Sequence, residues 1–176
     1  KVLVPIDQVY PSQSNVTLNK GGSTTLSVLV YPEDAEEDRS VTWKSEDDRI
    51  ATVDSNGKVT AIAGGSTKII GTLKNGKTVE VSITVEVPLE KVEIESDNLV
   101  MTRGSEKTVK AILTPADTTD TTAVIWESSN SDVATVVDGK IKALGAGVTT
   151  ITVRVGNFSD SITVEVIVPI ESIELN

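Results

Sequence analysis

Valine and isoleucine alternate with polar residues along most of this chain. In the clearest run, Val79, Val81, Ile83, Val85 and Val87 are separated by Glu80, Ser82, Thr84 and Glu86. A period of two sends successive side chains to opposite faces of a strand, so the run predicts one apolar face and one wet face. Phe158 to Val168 predicts a matching strand, with Ile162, Val164 and Val166 keeping the parity. Helix signatures are absent, and turn residues punctuate the rest. Asn75-Gly76, between Lys68–Leu73 and Lys77–Val87, predicts a two-residue hairpin whose central residues both take φ > 0, and Gly156-Asn157 marks the corresponding corner further on. Further turns are expected at Asn19-Lys20-Gly21-Gly22, Asp54-Ser55-Asn56-Gly57, Asp138-Gly139 and the Pro32 and Pro115 loops. Short strands with a turn every eight to twelve residues or so predict a small antiparallel β-sandwich.

The pattern occurs twice. Val41 to Ile69 contains Val-Thr-Trp-Lys-Ser, Ala-Thr-Val, Gly-Lys-Val-Thr-Ala and Gly-Gly-Ser-Thr-Lys-Ile, and Val124 to Ile151 repeats it as Val-Ile-Trp-Glu-Ser, Ala-Thr-Val, Gly-Lys-Ile-Lys-Ala and Gly-Val-Thr-Thr-Ile. The two tryptophans, Trp43 and Trp126, lie 126 − 43 = 83 positions apart, and Ala51 and Ala134 keep that spacing. A fixed period with one Trp in each copy predicts tandem domains. Val-Leu-Val-Pro, Val-Glu-Val-Pro and Val-Ile-Val-Pro end at Pro5, Pro88 and Pro169. Proline donates nothing to a ladder and fixes its own φ, so each marks a place where one domain's last strand gives way to the next domain's first. The expected division is therefore 5–87 and 88–168, with 1–4 ending a preceding repeat and 169–176 opening a following one. In a core of Val, Ile, Leu and Ala, one indole per unit is expected to be the largest single piece of buried area, its truncation to Ala costing about 3–5 kcal/mol.

These residues resemble a known family, the bacterial immunoglobulin-like domains of group 2. The resemblance rests on Val41, Trp43, Ser45, Ala51, Thr52, Val53, Gly57, Val59, Ala61, Gly65 and Ile69, and on Val124, Trp126, Ser128, Ala134, Thr135, Val136, Gly139, Ile141, Ala143, Gly147 and Ile151. Gly22 with Leu26 and Pro32, and Gly104 with Pro115, add a strand start and a following proline. The resemblance implies an all-β fold of two tandem Ig-like sandwiches. It also implies a module of bacterial surface proteins, secreted polysaccharide-active enzymes or phage particles that spaces or displays something else, with no catalytic residue to carry over.

Composition narrows the classes. With no Cys and no His, the chain lacks thiol nucleophiles, disulfides, the commonest general base and the commonest transition-metal ligand. Twenty-six acidic against sixteen basic residues leave a net charge of −10, which repels a nucleic-acid backbone. No apolar run approaches the roughly 18 residues of a membrane-spanning helix. The chain opens on Lys1, without a Met or a signal segment, and is expected to be a piece of a longer protein.

Candidate chemistry is sparse. Glu33-Asp34-Ala35-Glu36-Glu37-Asp38 is the densest acidic run, yet it lacks the Asp-x-Asp-x-Asp-Gly spacing of a calcium loop, and Ala116-Asp117-Thr118-Thr119-Asp120 is far less acidic. Glu90, Glu93, Glu95 and Asp97 cluster near the expected domain boundary, where carboxylates could share a calcium, but strand alternation gives the plainer account: Val92 and Ile94 point inward, so Glu93 and Glu95 face water. Glu46-Asp47-Asp48-Arg49 and Ser129-Asn130-Ser131-Asp132 read as turns, with no groove to hold paired carboxylates for glycoside hydrolysis. No cofactor, no metal and no catalytic residue is expected.

The expected role is a non-catalytic structural or interaction module of a bacterial cell-surface or secreted protein, acting in adhesion or as a stalk. Its expected partner is a host or cell-surface protein or a glycan. Two alternatives remain: a carbohydrate-binding accessory module, for which Tyr10, Tyr31 and Phe158 are the available aromatics, and a virion decoration or tail module.

Overall fold

The computed structural model describes residues 4–169, and these form eighteen strands joined by turns, with no helix among them. The readings of 1–4 and 169–176 as ends of adjoining repeats fall almost wholly outside the described residues. The chain divides into two compact units, one up to Pro88 with Asp117–Thr119 grouped to it, the other from Leu89 with the remainder.

The first unit contains β1 (Gln8–Pro11), β2 (Asn15–Asn19), β3 (Ser23–Thr25), β4 (Val28–Tyr31), β5 (Val41–Ser45), β6 (Ala51–Val53), β7 (Lys58–Ala61), β8 (Gly65–Leu73) and β9 (Thr78–Glu86). They form a four-stranded sheet in the order β2-β9-β8-β5, a three-stranded sheet β3-β7-β6 and the pair β1-β4. The second unit repeats this with β10 (Lys91–Ile94), β11 (Leu99–Thr102), β12 (Glu106–Thr108), β13 (Ala111–Thr114), β14 (Val124–Ser128), β15 (Ala134–Val137), β16 (Lys140–Ala143), β17 (Gly147–Val155) and β18 (Phe158–Ile167), ordered β11-β18-β17-β14, β12-β16-β15 and β10-β13. Every pairing is antiparallel except one in each unit, where β2 runs parallel to β9 and β11 parallel to β18.

The alternation along β9 is realised in full, since Val79, Val81, Ile83 and Val85 are buried and Val87 continues the series just beyond the strand. Ile162, Val164 and Val166 do the same in β18. In the first unit the core falls into a main cluster around Ile69, Val81 and Ile83 and a smaller one of Ile6, Ala35 and Leu73 beneath the β1-β4 pair. In the second, a single continuous cluster takes in Leu89, Val92 and Ile94 as well as Ile151 and Val164.

Two expectations need correction. Neither indole is entombed: Trp43 and Trp126 are half-buried, packing against their cores while keeping one side in water. The cause is position, because β5 and β14 are edge strands of their four-stranded sheets. Trp43→Ala is therefore expected to cost about 2–3 kcal/mol in chemical denaturation, below the roughly 3–5 kcal/mol of a fully buried Trp. Nor is Asn75-Gly76 a two-residue turn with two positive φ angles. Gly76 has φ +83°, but Asn75 does not share the left-handed region. The Gly76 N–H donates to Leu73 O (3.0 Å) and the Leu73 N–H to Lys77 O (2.9 Å), which closes a three-residue loop with the glycine at its bulge. Asp54 to Lys58 closes identically around Gly57 (φ +78°). The second unit uses two-residue loops instead, Asp138-Gly139 with both φ positive (49° and 76°) and Gly156-Asn157 with only the glycine positive (57°).

Candidate functional site

The carboxylates at the end of the acidic run, Glu37 and Asp38, are engaged in local bonds. Glu37 Oε2 accepts from the Ile6 N–H (3.1 Å) and from Asn75 Nδ2 (2.9 Å), tying the loop to the lead-in of β1 and to the β8-β9 turn. Asp38 Oδ1 accepts from both the N–H and the hydroxyl of Ser40, while its Oδ2 pairs with Lys74 Nζ at 2.7 Å. The guanidinium of Arg39 reaches back to the carbonyls of Glu33 and Ala35. These bonds hold Glu37 below the usual carboxylate range, chiefly through the Ile6 N–H, and Asp38 well below it, chiefly through Lys74.

A carboxylate whose pKa is depressed by folding stabilises fully above its unfolded pKa of about 4, and the contribution fades as pH falls toward the folded pKa. The first unit's melting temperature is thus expected to drop between pH 5 and pH 3 at low salt. In Asp38→Asn this drop should be smaller. An unchanged slope in thermal scans of that variant would mean that Asp38 contributes nothing to the pH dependence.

Of the carboxylates near β10, Glu93 pairs with Lys91 at 2.6 Å, and Glu90, Glu95 and Asp97 are exposed. Among the described residues no group of three His, Cys, Asp or Glu is placed to hold a metal ion. Asp47 closes the turn after β5 by accepting from the Arg49 N–H and Nε, both at 3.0 Å. In the matching turn of the second unit the buried Thr149 hydroxyl accepts from the Asn130 N–H (2.9 Å) and bonds Ser128 and Ser129. Both stretches are turns, as their polar sequence implies.

The aromatics are distributed unevenly. Phe158 starts β18 in the second unit, whereas Tyr10 and Tyr31 come together on β1-β4 in the first. In that register Gln8 lies opposite Tyr31 and Tyr10 opposite Leu29, so the four share the outward face. Tyr10, Leu29 and Tyr31 are 52%, 58% and 59% exposed, while Val9, Val28 and Val30 pack inward against Ile6, Ala35 and Leu73. The Tyr10 hydroxyl donates to the Gln8 side-chain carbonyl. Sequence reading named both tyrosines but not their juxtaposition, which depends on the β1-β4 register. The 83-residue interval held a further signal: it aligns Tyr10 with Glu93 and Tyr31 with Thr114, so only one repeat is aromatic here.

A family model described as bacterial Ig-like domain (group 2) matches residues 5–84 and again 88–166. Lacto-N-biosidase of Bifidobacterium bifidum is 47% identical over 77 residues, which is 42% of this chain and 7% of that protein. Ice-binding protein 1 of Shewanella frigidimarina is 32% identical over 135 residues, 72% of this chain and 15% of that protein. The chain thus spans a small fraction of the length of these relatives. Among solved structures, the N-terminal four Ig domains of Dscam1 isoform 6.44 match 90% of this chain and 46% of that one with a TM-score of 0.52 at 14% identity, a likeness of fold.

Proposed function

The chain belongs to the bacterial Ig-like domain family, group 2, in both of its repeats, and from that premise we propose a non-catalytic structural role: two load-bearing units in tandem within a larger secreted or cell-surface protein. The observation that carries this reading is the parallel pairing in each unit. Strand β2 is the second strand of the first unit and β9 the last, and they run side by side in the same direction, Asn15 to Asn19 against Ser82 to Glu86. Bonds from Ser82 N to Ser14 O and from Lys20 N to Glu86 O, both 2.9 Å, extend the ladder at its two ends. Tension that pulls the front of the unit one way and its end the other acts along these strands in opposite senses. The ladder is then loaded in shear, all bonds resisting together, whereas a hairpin pulled at its open end parts one bond at a time. In the second unit, Leu99–Thr102 against Val164–Ile167, extended by Arg103 N to Ile167 O at 2.9 Å, repeats the arrangement.

The relatives support a role that is independent of any one chemistry. A protein named as a glycosidase and one named for ice binding share this module over 7% and 15% of their lengths, so it serves proteins of different activity. In an adhesin or a stalk, such units hold a receptor- or glycan-binding part away from the bacterial wall.

Single-molecule pulling on the chain tests the reading. Two unfolding events are expected, each releasing about 27–30 nm of extended chain for a unit of about 82 residues. A single event, or extension without a force peak, would sink it.

A further inference from the structure

We propose that the outward face of β1-β4 in the first unit is a stacking site for a neutral polysaccharide, with Tyr10 and Tyr31 as its platforms. The two tyrosines of the chain are both here, diagonal to one another on a paired strand where neighbours of that kind lie about 7–8 Å apart. Each keeps more than half its surface in water. The backbone beneath is fixed by a four-pair register and by the valines packed into the small core under it, so the rings stand on a rigid sheet rather than a loop.

The second unit supplies an internal comparison. Its β10-β13 pair has the same register, with Lys91, Glu93, Ile112 and Thr114 where the first unit has Gln8, Tyr10, Leu29 and Tyr31. There the outward face carries a Lys91–Glu93 ion pair at 2.6 Å, an ordinary solvated surface. Folding of the repeat therefore does not require aromatics at these positions, and the tyrosines are free to serve something else.

Size and charge select the occupant. A face two residues by two, about 5 Å by 7 Å between centres, is far short of the roughly 800 Å² per partner that a stable protein interface buries. It is commensurate with sugar rings, whose axial C–H edges complement the electron-rich face of tyrosine. Hydroxyl partners flank it: one hollow beside Tyr10 is lined by Gln8, Lys77 and Thr78, and another beside Leu29 by Glu33 and Arg39. The rim carries both signs of charge on a chain of net −10, which disfavours uronic-acid or sulfated polymers and leaves neutral ones.

Affinity electrophoresis of the whole chain in gels containing xyloglucan, galactomannan, hydroxyethylcellulose or mixed-linkage β-glucan tests this, with polygalacturonate as the anionic control. At least one neutral polymer is expected to retard the chain. The double variant Tyr10→Glu with Tyr31→Thr, which installs the second unit's residues, should lose that retardation by roughly tenfold or more while melting at an unchanged temperature. Labelling with 3-fluorotyrosine gives a second readout on the unmutated chain, because both fluorine resonances report this face and should shift on titration with the retarding polymer. The proposal is overturned if none of the neutral polymers retards the chain, if the double variant is retarded equally, or if polygalacturonate retards it as strongly. Fluorine shifts that appear on concentrating the protein alone would also overturn it, by making a second copy the occupant.

Discussion

Gly57→Val is expected to lower the first unit's thermal transition far below that of the second unit, which stays in place. Gly57 sits at φ +78°, where a β-branched residue is strained, and a Cβ there would lie 2.5 Å from the backbone carbonyl oxygen of Leu26 and 2.9 Å from Nε1 of Trp43. Neither neighbour can give way easily. Leu26 is buried, and its N–H donates to Gly57 O at 2.8 Å, so the two backbones are already in direct contact. Backbone strain of about 1–3 kcal/mol and overpacking of a similar size sum to about 4 kcal/mol, against about 4–12 kcal/mol of total stability for 82 residues. At about 4–8 °C per kcal/mol for a domain of this size, the transition moves down by about 15–30 °C. The control is Gly21→Val, at φ +82° with nothing within 4 Å of the added Cβ, which carries the strain without the collision. Thermal denaturation followed by Trp43 fluorescence in a Trp126→Phe background reads the first unit alone. Equal losses for the two variants would mean that the approach of Gly57 to Leu26 and Trp43 is not what requires glycine.

Gly57 also shows what was legible beforehand. The Asp54-Ser55-Asn56-Gly57 stretch reads as a turn from composition alone, and Gly57 with Gly139 belongs to the motif that marks the repeat. That Gly57 packs under the Trp43 ring is a long-range fact that no local pattern carries. The same limit separates the other successes from the misses. Parity along Val79–Val87 identifies the buried face because each residue reports its own side. The direction of β2 against β9 is invisible, since the partners are more than 60 positions apart and a five-residue strand has the same pattern whichever way it pairs. At Asn75-Gly76 the dipeptide does not set the loop length, because the register ends at Thr72 opposite Thr78 and Lys77 still belongs to the closure. Tryptophan exposure is not readable from the alternation because burial depends on the order of strands in the sheet, and β5 lies at its edge. For the candidate face, identity was readable and adjacency was not: Tyr10 and Tyr31 are 21 positions apart until β1 and β4 pair.

The second large effect is expected at Ile83. This side chain is fully buried on the strand that lies between β2 and β8, with Val16 as its parallel partner and Thr67 as its antiparallel one. Ile83→Ala should cost about 3–4 kcal/mol, within the roughly 2–5 kcal/mol range for such truncations, because a site enclosed by two strands and the facing sheet cannot collapse onto the void. Ile83→Val, one methylene smaller, should cost about 0.5–1.5 kcal/mol. Ile112→Ala, on the outward face of β13 and 41% exposed, should stay within about 0.5 kcal/mol of the wild type. The same series separates thermal from mechanical stability. Ile83 points into the core, while the β2-β9 hydrogen bonds lie in the plane of the sheet, so its truncation lowers the melting temperature of the first unit without removing a bond from the sheared ladder. Force spectroscopy of Ile83→Ala is accordingly expected to retain two events, with the first unit's peak force close to that of the wild type. If one event disappears or falls markedly in force while the variant is still folded at zero force, resistance to tension comes from core packing rather than from the parallel ladder.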